Sequence, residues 1–117
     1  VSGAFHSPLM QPVAEEFEQF LSSFSFRDAR CPVISNVTAG KEGEGEQCKK
    51  LLVKQLLSPV RWVETMSVLM DADCRTGIEI GPGSVLKGLG RKCQPEMNII
   101  PCSSVENLYS VITSARD

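Results

Sequence analysis

The chain is poor in the residues from which metal centres and disulfide frameworks are built. It holds one histidine, His6, and its five cysteines, Cys31, Cys48, Cys74, Cys93 and Cys102, are odd in number, widely spaced and free of any Cys-x-x-Cys pair. Zinc needs three or four ligands, and a stapled secreted fold needs an even, patterned set of cysteines. Neither is signalled, so the cysteines read as reduced, mostly buried thiols of an intracellular protein. No apolar run approaches the roughly 20 residues that span a bilayer, and the first residues lack the charged-then-apolar layout of a signal peptide. Asn36-Val37-Thr38 fits the glycosylation triplet, which matters only in a secreted chain. Nor is positive charge in excess: the formal net charge is −2, which gives no electrostatic bias toward nucleic acid or anionic lipid. The expectation is a protein of the cytoplasm or of an organelle, not secreted, with neither nucleic acid nor membrane as partner.

What is present fits a globular protein. With 117 residues and 42% hydrophobic side chains, the chain has the size of one ordinary domain, which buries only about two-thirds of its unfolded surface. It begins with a valine already inside structured-looking sequence, as a piece of something longer would.

Ser7 and Pro8 are suited to open a helix, and Met10, Val13, Phe17, Phe20, Leu21 and Phe24 recur at three- and four-residue steps. Pro12 has no N–H to donate, so the regular part is expected to begin there. "PVISNV", Pro32 to Val37, is short, apolar and β-branched and reads as a buried strand. "GKEGEGE", Gly40 to Glu46, reads as a solvated loop. A second helix is predicted over 46–57, with Cys48, Leu51, Leu52 and Leu56 inward. Ser58-Pro59 ends it and opens a third carrying Trp62, Val63, Met66, Leu69 and Met70. "TGIEIGPG" is a strand entering a glycine turn, Ser84 to Lys92 a helix with Val85, Leu86 and Leu89 apolar, and "MNIIPC" another strand. A last helix carries Val105, Leu108, Tyr109 and Ile112. Strands separated by helices cannot be joined as hairpins and are expected to lie parallel in a covered sheet, an α/β architecture.

His6 is the natural candidate for chemistry, since histidine titrates near neutral pH and is the commonest general base. Its bland alternative is a hydrogen-bonded structural histidine. Gln55 lies three residues after Leu52 and four after Leu51, so a helix places it on or beside the apolar stripe. A buried amide without a partner costs about 1–3 kcal/mol; Gln55 either satisfies a neighbouring backbone group or serves an active site. "GPGSVLKGL", Gly81 to Leu89, is a strand-turn-helix junction of the kind that binds phosphate. It lacks the Lys-Ser/Thr of a P-loop, and Leu86 stands where a dinucleotide fingerprint needs glycine. None of the thirteen serines has glycine two residues before and two after, so the Gly-x-Ser-x-Gly elbow on which a histidine base would act is missing from these residues.

Four stretches, "VSGAFHSPLMQP", "PVISNV", "LLVKQLLSPVRWVETM" and "IEIGPGSVLKGL", resemble in order and interval the malonyl-CoA:acyl carrier protein transacylases. The resemblance implies an acyltransferase of fatty acid synthesis that moves malonyl from coenzyme A to a serine and on to the phosphopantetheine thiol of acyl carrier protein. It implies malonyl-CoA and acyl carrier protein as partners and no resident cofactor. The family's large subdomain is α/β-hydrolase-like and is interrupted by a small ferredoxin-like one. Residues 1–117 resemble the C-terminal part of the large subdomain, with the nucleophile-bearing part and the small subdomain absent. His6 matches the family's catalytic histidine. Gln55 matches the glutamine whose main-chain carbonyl orients the imidazole, and Phe5 matches a substrate-binding position where related polyketide acyltransferases carry phenylalanine when they select malonyl over methylmalonyl. None of the arginines, Arg116 included, matches the one that pairs with the malonyl carboxylate. The chain alone is therefore expected to be inactive. Two alternatives accompany this reading: a segment of a polyketide-synthase-type acyltransferase, and a non-catalytic truncated module that docks acyl carrier protein.

Overall fold

The computed structural model describes residues 3–114, so Val1, Ser2 and Arg116 lie outside the described residues. The chain divides into two compact units, one ending at Thr65 and the other beginning at Met66.

The first unit opens with a 3-10 turn, Pro8–Met10, that runs into helix α1, Gln11–Ser22. Pro12 sits in the first turn of α1, where its missing N–H is not needed. Ser7 precedes the 3-10 turn but does not cap it; its hydroxyl donates instead to the Ala4 carbonyl at 2.6 Å. Ala14 and Leu21 are buried, while Val13 and Phe20 are exposed and Phe24 lies beyond the helix end. The stripe expected to face inward is thus only partly covered.

Strand β1, Val33–Ile34, pairs antiparallel with β2, Lys41–Glu42. Both halves of this ribbon depart from expectation. "PVISNV" is not a buried member of the parallel sheet, because its partner lies seven residues on in the glycine-rich stretch taken as a loop, and Val33 is exposed. Helix α2 follows as Gly45–Gln55. Its start is held from outside: the Gly45 N–H donates to Asp28 Oδ1 at 2.9 Å, and Lys49 donates to the Phe24 carbonyl at 2.7 Å. Leu51 is buried, whereas Leu52 is half-exposed.

Helix α3, Trp62–Asp71, carries the boundary into the second unit. There β3, Thr76–Ile80, pairs in parallel with β4, Asn98–Cys102, through helix α4, Val85–Cys93, and helix α5, Val105–Ser114, follows β4. The α/β class, with a parallel pair and flanking helices, is as expected. α4 approaches β4 closely at Gly90, where a Cβ would stand 2.2 Å from Ile99 Cδ1. The second unit's core is Met66, Met97, Ile99, Cys102 and Val111. The stripes predicted for the last two helices do not form it: Val85, Leu86, Leu89, Val105, Leu108, Tyr109 and Ile112 are all exposed. Two paired strands offer too little area to cover them. Of the cysteines, all free, only Cys102 is buried and Cys31 is exposed, so "mostly buried" does not hold. Among the described residues no helix is long and apolar enough to cross a membrane.

Candidate active site

His6 stands in a tight turn just before the first helical turn, with φ at 63°. A non-glycine residue in the left-handed region is strained by about 1–2 kcal/mol, and such strain persists only where the surroundings fix it. They do so twice. The His6 backbone N–H donates to the Leu56 carbonyl at 3.0 Å, and its ring Nδ1 lies 2.9 Å from the Gln55 carbonyl oxygen. Both carbonyls belong to the C-terminal end of α2, where the last turn leaves its acceptors without helical donors. The backbone and the ring of one residue thus reach two consecutive carbonyls far along the chain, of which that of Gln55 also accepts the Ser58 N–H at 3.3 Å.

The shorter of these contacts favours one tautomer. A carbonyl oxygen only accepts, so the 2.9 Å contact is a hydrogen bond when Nδ1 carries the hydrogen. The other nitrogen, Nε2, then carries a lone pair and has no partner among the described residues. In that tautomer Nε2 is the ring nitrogen able to accept a hydrogen bond or a proton. At Nδ1 a main-chain carbonyl from a helix end stands where a Ser-His-Asp triad places a carboxylate.

The Gln55 side chain is also engaged. Its amide Nε2 donates to the Ser58 carbonyl at 3.1 Å and lies 3.3 Å from His6 Nδ1. The structure therefore brings His6 and Gln55 together, and both readings left open for the amide, backbone satisfaction and service to the site, describe it. Phe5, next to His6 in the chain, is half-exposed, and its ring edge lies against Gly3, 2.8 Å from where a Cβ would stand. Gln55 also lines an apolar cavity of about 300 Å³ between β1 and α2, together with Ile34, Cys48, Leu51 and Leu52. Neither His6 nor Phe5 is among the residues that line it.

The glycine turn after β3 holds a residue that the sequence pattern does not single out. Glu79 is buried, and its two carboxylate oxygens accept the N–H groups of Leu86 and Lys87, each at 2.9 Å. The first turn of α4 is therefore already filled by an internal anion, and the turn is a structural junction, not a phosphate cradle. The one signal in the sequence is an acid in the middle of an apolar strand, a short turn before a helix start. Among the described residues no cluster of histidine, cysteine and acids could hold a metal.

No family model matches the chain. It is 41% identical over all 117 residues to the malonyl CoA-acyl carrier protein transacylase of Bacillus subtilis strain 168, of which it covers 37%. Among solved structures it superposes on the malonyl-CoA:ACP transacylase of Synechocystis sp. PCC 6803 with a TM-score of 0.86 and 38% identity, over 94% of this chain and 38% of that one. It superposes likewise on a malonyl-transacylase solved in complex with its type II PKS acyl-carrier protein, with a TM-score of 0.87 and 31% identity, over 97% of this chain and 37% of that one. The chain spans 35–37% of the length of the curated relatives it matches.

Proposed function

We propose that this chain, alike over its whole length to about a third of the malonyl CoA-acyl carrier protein transacylases, contributes the general base to that reaction. In this reading residues 1–117 are the C-terminal part of the catalytic domain, and the nucleophilic serine, the arginine for the malonyl carboxylate and the small subdomain belong to the rest of the protein. The observation that carries the reading is the 2.9 Å contact between His6 Nδ1 and the Gln55 carbonyl, which leaves the Nε2 lone pair free.

The proton path follows from it. Nε2 takes the hydroxyl proton of the serine as its oxygen attacks the thioester carbonyl of malonyl-CoA, and the imidazolium returns that proton to the departing coenzyme A thiolate. In the second half the phosphopantetheine thiol of acyl carrier protein gives its proton to Nε2 while its sulfur attacks the acyl-serine ester. The proton then passes to the serine oxygen. Throughout, Nδ1–H stays on the Gln55 carbonyl and the ring need not turn. Phe5 is assigned to the acyl pocket, where a bulky ring leaves little space for the extra methyl of methylmalonyl. The reaction is placed in the cytoplasm or an organelle.

The test is a chimera in which these residues replace the matching segment of the Bacillus subtilis relative. Malonyl transfer to acyl carrier protein is expected, and His6→Ala is expected to lower its rate by about 10²–10⁴-fold or more. A folded chimera that transfers malonyl equally well without the imidazole would sink the proposal.

A further inference from the structure

His6 Nδ1 has two neighbours from the same residue, and they are of opposite kind. The Gln55 main-chain carbonyl, at 2.9 Å, can only accept. The Gln55 side-chain nitrogen, at 3.3 Å, can only donate. The identity of that second atom is fixed independently: the same group lies 3.1 Å from the Ser58 carbonyl oxygen, which demands a donor, so the amide cannot be turned to present its oxygen to the ring. An amide nitrogen has two hydrogens, and with one on Ser58 the other remains for Nδ1.

We propose that the Gln55 side chain is a positioning residue that holds the His6 ring in place when Nδ1 carries no proton, so that one seat retains both neutral tautomers. With hydrogen on Nδ1, the ring donates to the main-chain carbonyl and Nε2 is the base. With hydrogen on Nε2, Nδ1 would lose its only bond; the Gln55 amide then donates to it and the ring keeps its orientation. This role is separate from that of the main-chain carbonyl, which any residue at position 55 supplies. Its bearing on catalysis rests on the proposed function: a ring that has lost its proton from either nitrogen stays aimed at the reacting atoms instead of swinging into solvent, to which His6 is exposed.

The sole histidine makes the test direct, because a long-range proton–nitrogen spectrum of the chain labelled at histidine contains one ring. At alkaline pH, where the ring is neutral, the two nitrogen shifts report the share of each tautomer. The wild-type ring is expected to show both. Gln55→Met keeps the length, the helix propensity and the main-chain carbonyl but removes the donor; it is expected to lower the Nε2–H share by about threefold to tenfold, the factor one net hydrogen bond is worth. An unchanged tautomer ratio in a folded Gln55→Met chain overturns the proposal. So does a wild-type ring found wholly in the Nδ1–H form, a result that decides the matter even if the variant does not fold. No arm of this experiment depends on malonyl transfer, so its failure and that of the chimera are told apart.

Discussion

Several single positions carry consequences out of proportion to their size. Glu79 places both carboxylate oxygens on the first turn of α4 from within the core. Glu79→Gln keeps the shape but offers one acceptor oxygen and no charge, leaving one N–H of that turn short of its partner. A loss of about 1–3 kcal/mol in urea unfolding is expected. Because the site is filled, added inorganic phosphate should leave the amide resonances of Leu86 and Lys87 unmoved in the wild-type chain. At Gly90 the added Cβ of alanine would meet Ile99 Cδ1 at 2.2 Å, an overpacking of the kind that costs about 1–3 kcal/mol. Ile99→Val removes that carbon. The double variant Gly90→Ala/Ile99→Val is therefore expected to be more stable than the sum of the single losses allows, a coupling measurable by a thermodynamic cycle.

Among the elements, α2 links packing to the candidate site, since its first residue is pinned to the 26–28 segment and its last presents a carbonyl to the His6 ring. A Cβ at Gly45 would stand 2.2 Å from the Phe26 carbonyl oxygen, backbone against backbone. Gly45→Ala must therefore shift the helix, and the expected result is both a drop in stability and a change in the His6 ring resonances, read at the opposite end of that helix. At the start of α5, hydrogen bonds from its own backbone N–H and from the Ser104 hydroxyl hold the Glu106 carboxyl below its ordinary value. A depressed carboxyl stabilises the fold above its unfolded pKa, and this contribution fades as pH falls through the folded one. The amides of α5 should therefore lose exchange protection on acidification, and Glu106→Gln should abolish that pH dependence.

The helices were legible because their signals are local: apolar residues at three- and four-residue steps, Pro12 in a first turn, Ser58-Pro59 at a break. The ribbon of β1 and β2 was not, since nothing in "GKEGEGE" marks Lys41 and Glu42 as partners for Val33 and Ile34. Strand pairing is decided between segments. The same holds for the site. His6 and Gln55 were each conspicuous, yet no spacing rule joins residues so far apart in the chain; their pairing came from the resemblance alone. The carbonyls of Leu56 and Ser58 were invisible, because main-chain acceptors have no signature in residue type. Glu79 was overlooked since a side chain that caps a helix across a turn leaves only an acid in an apolar run.

At the scale of the whole molecule the dominant fact is apolar surface. Ile80 is 81% exposed in a strand of a parallel pair, and Leu9, Phe20, Val63 and Val85 are all above 60%. Parallel strands are ordinarily covered on both faces, and open edges beside apolar faces pair with whatever they meet. The isolated chain is expected to self-associate with rising concentration in sedimentation velocity and to bind a hydrophobic dye; a compact, non-binding monomer over the micromolar range would contradict this.

The left-handed backbone at His6 has a consequence for descent. Glycine tolerates that conformation without strain, and asparagine tolerates it better than most side chains, while either keeps the N–H that reaches Leu56. A lineage with no further use for the imidazole could exchange it for one of these at little harm to the fold, and drift would favour the exchange. On the proposed function, position 6 is thus a gauge of constraint: across descendants of this sequence, histidine should persist there where the proposed proton transfer is under selection, and glycine or asparagine should replace it before the core changes where it is not.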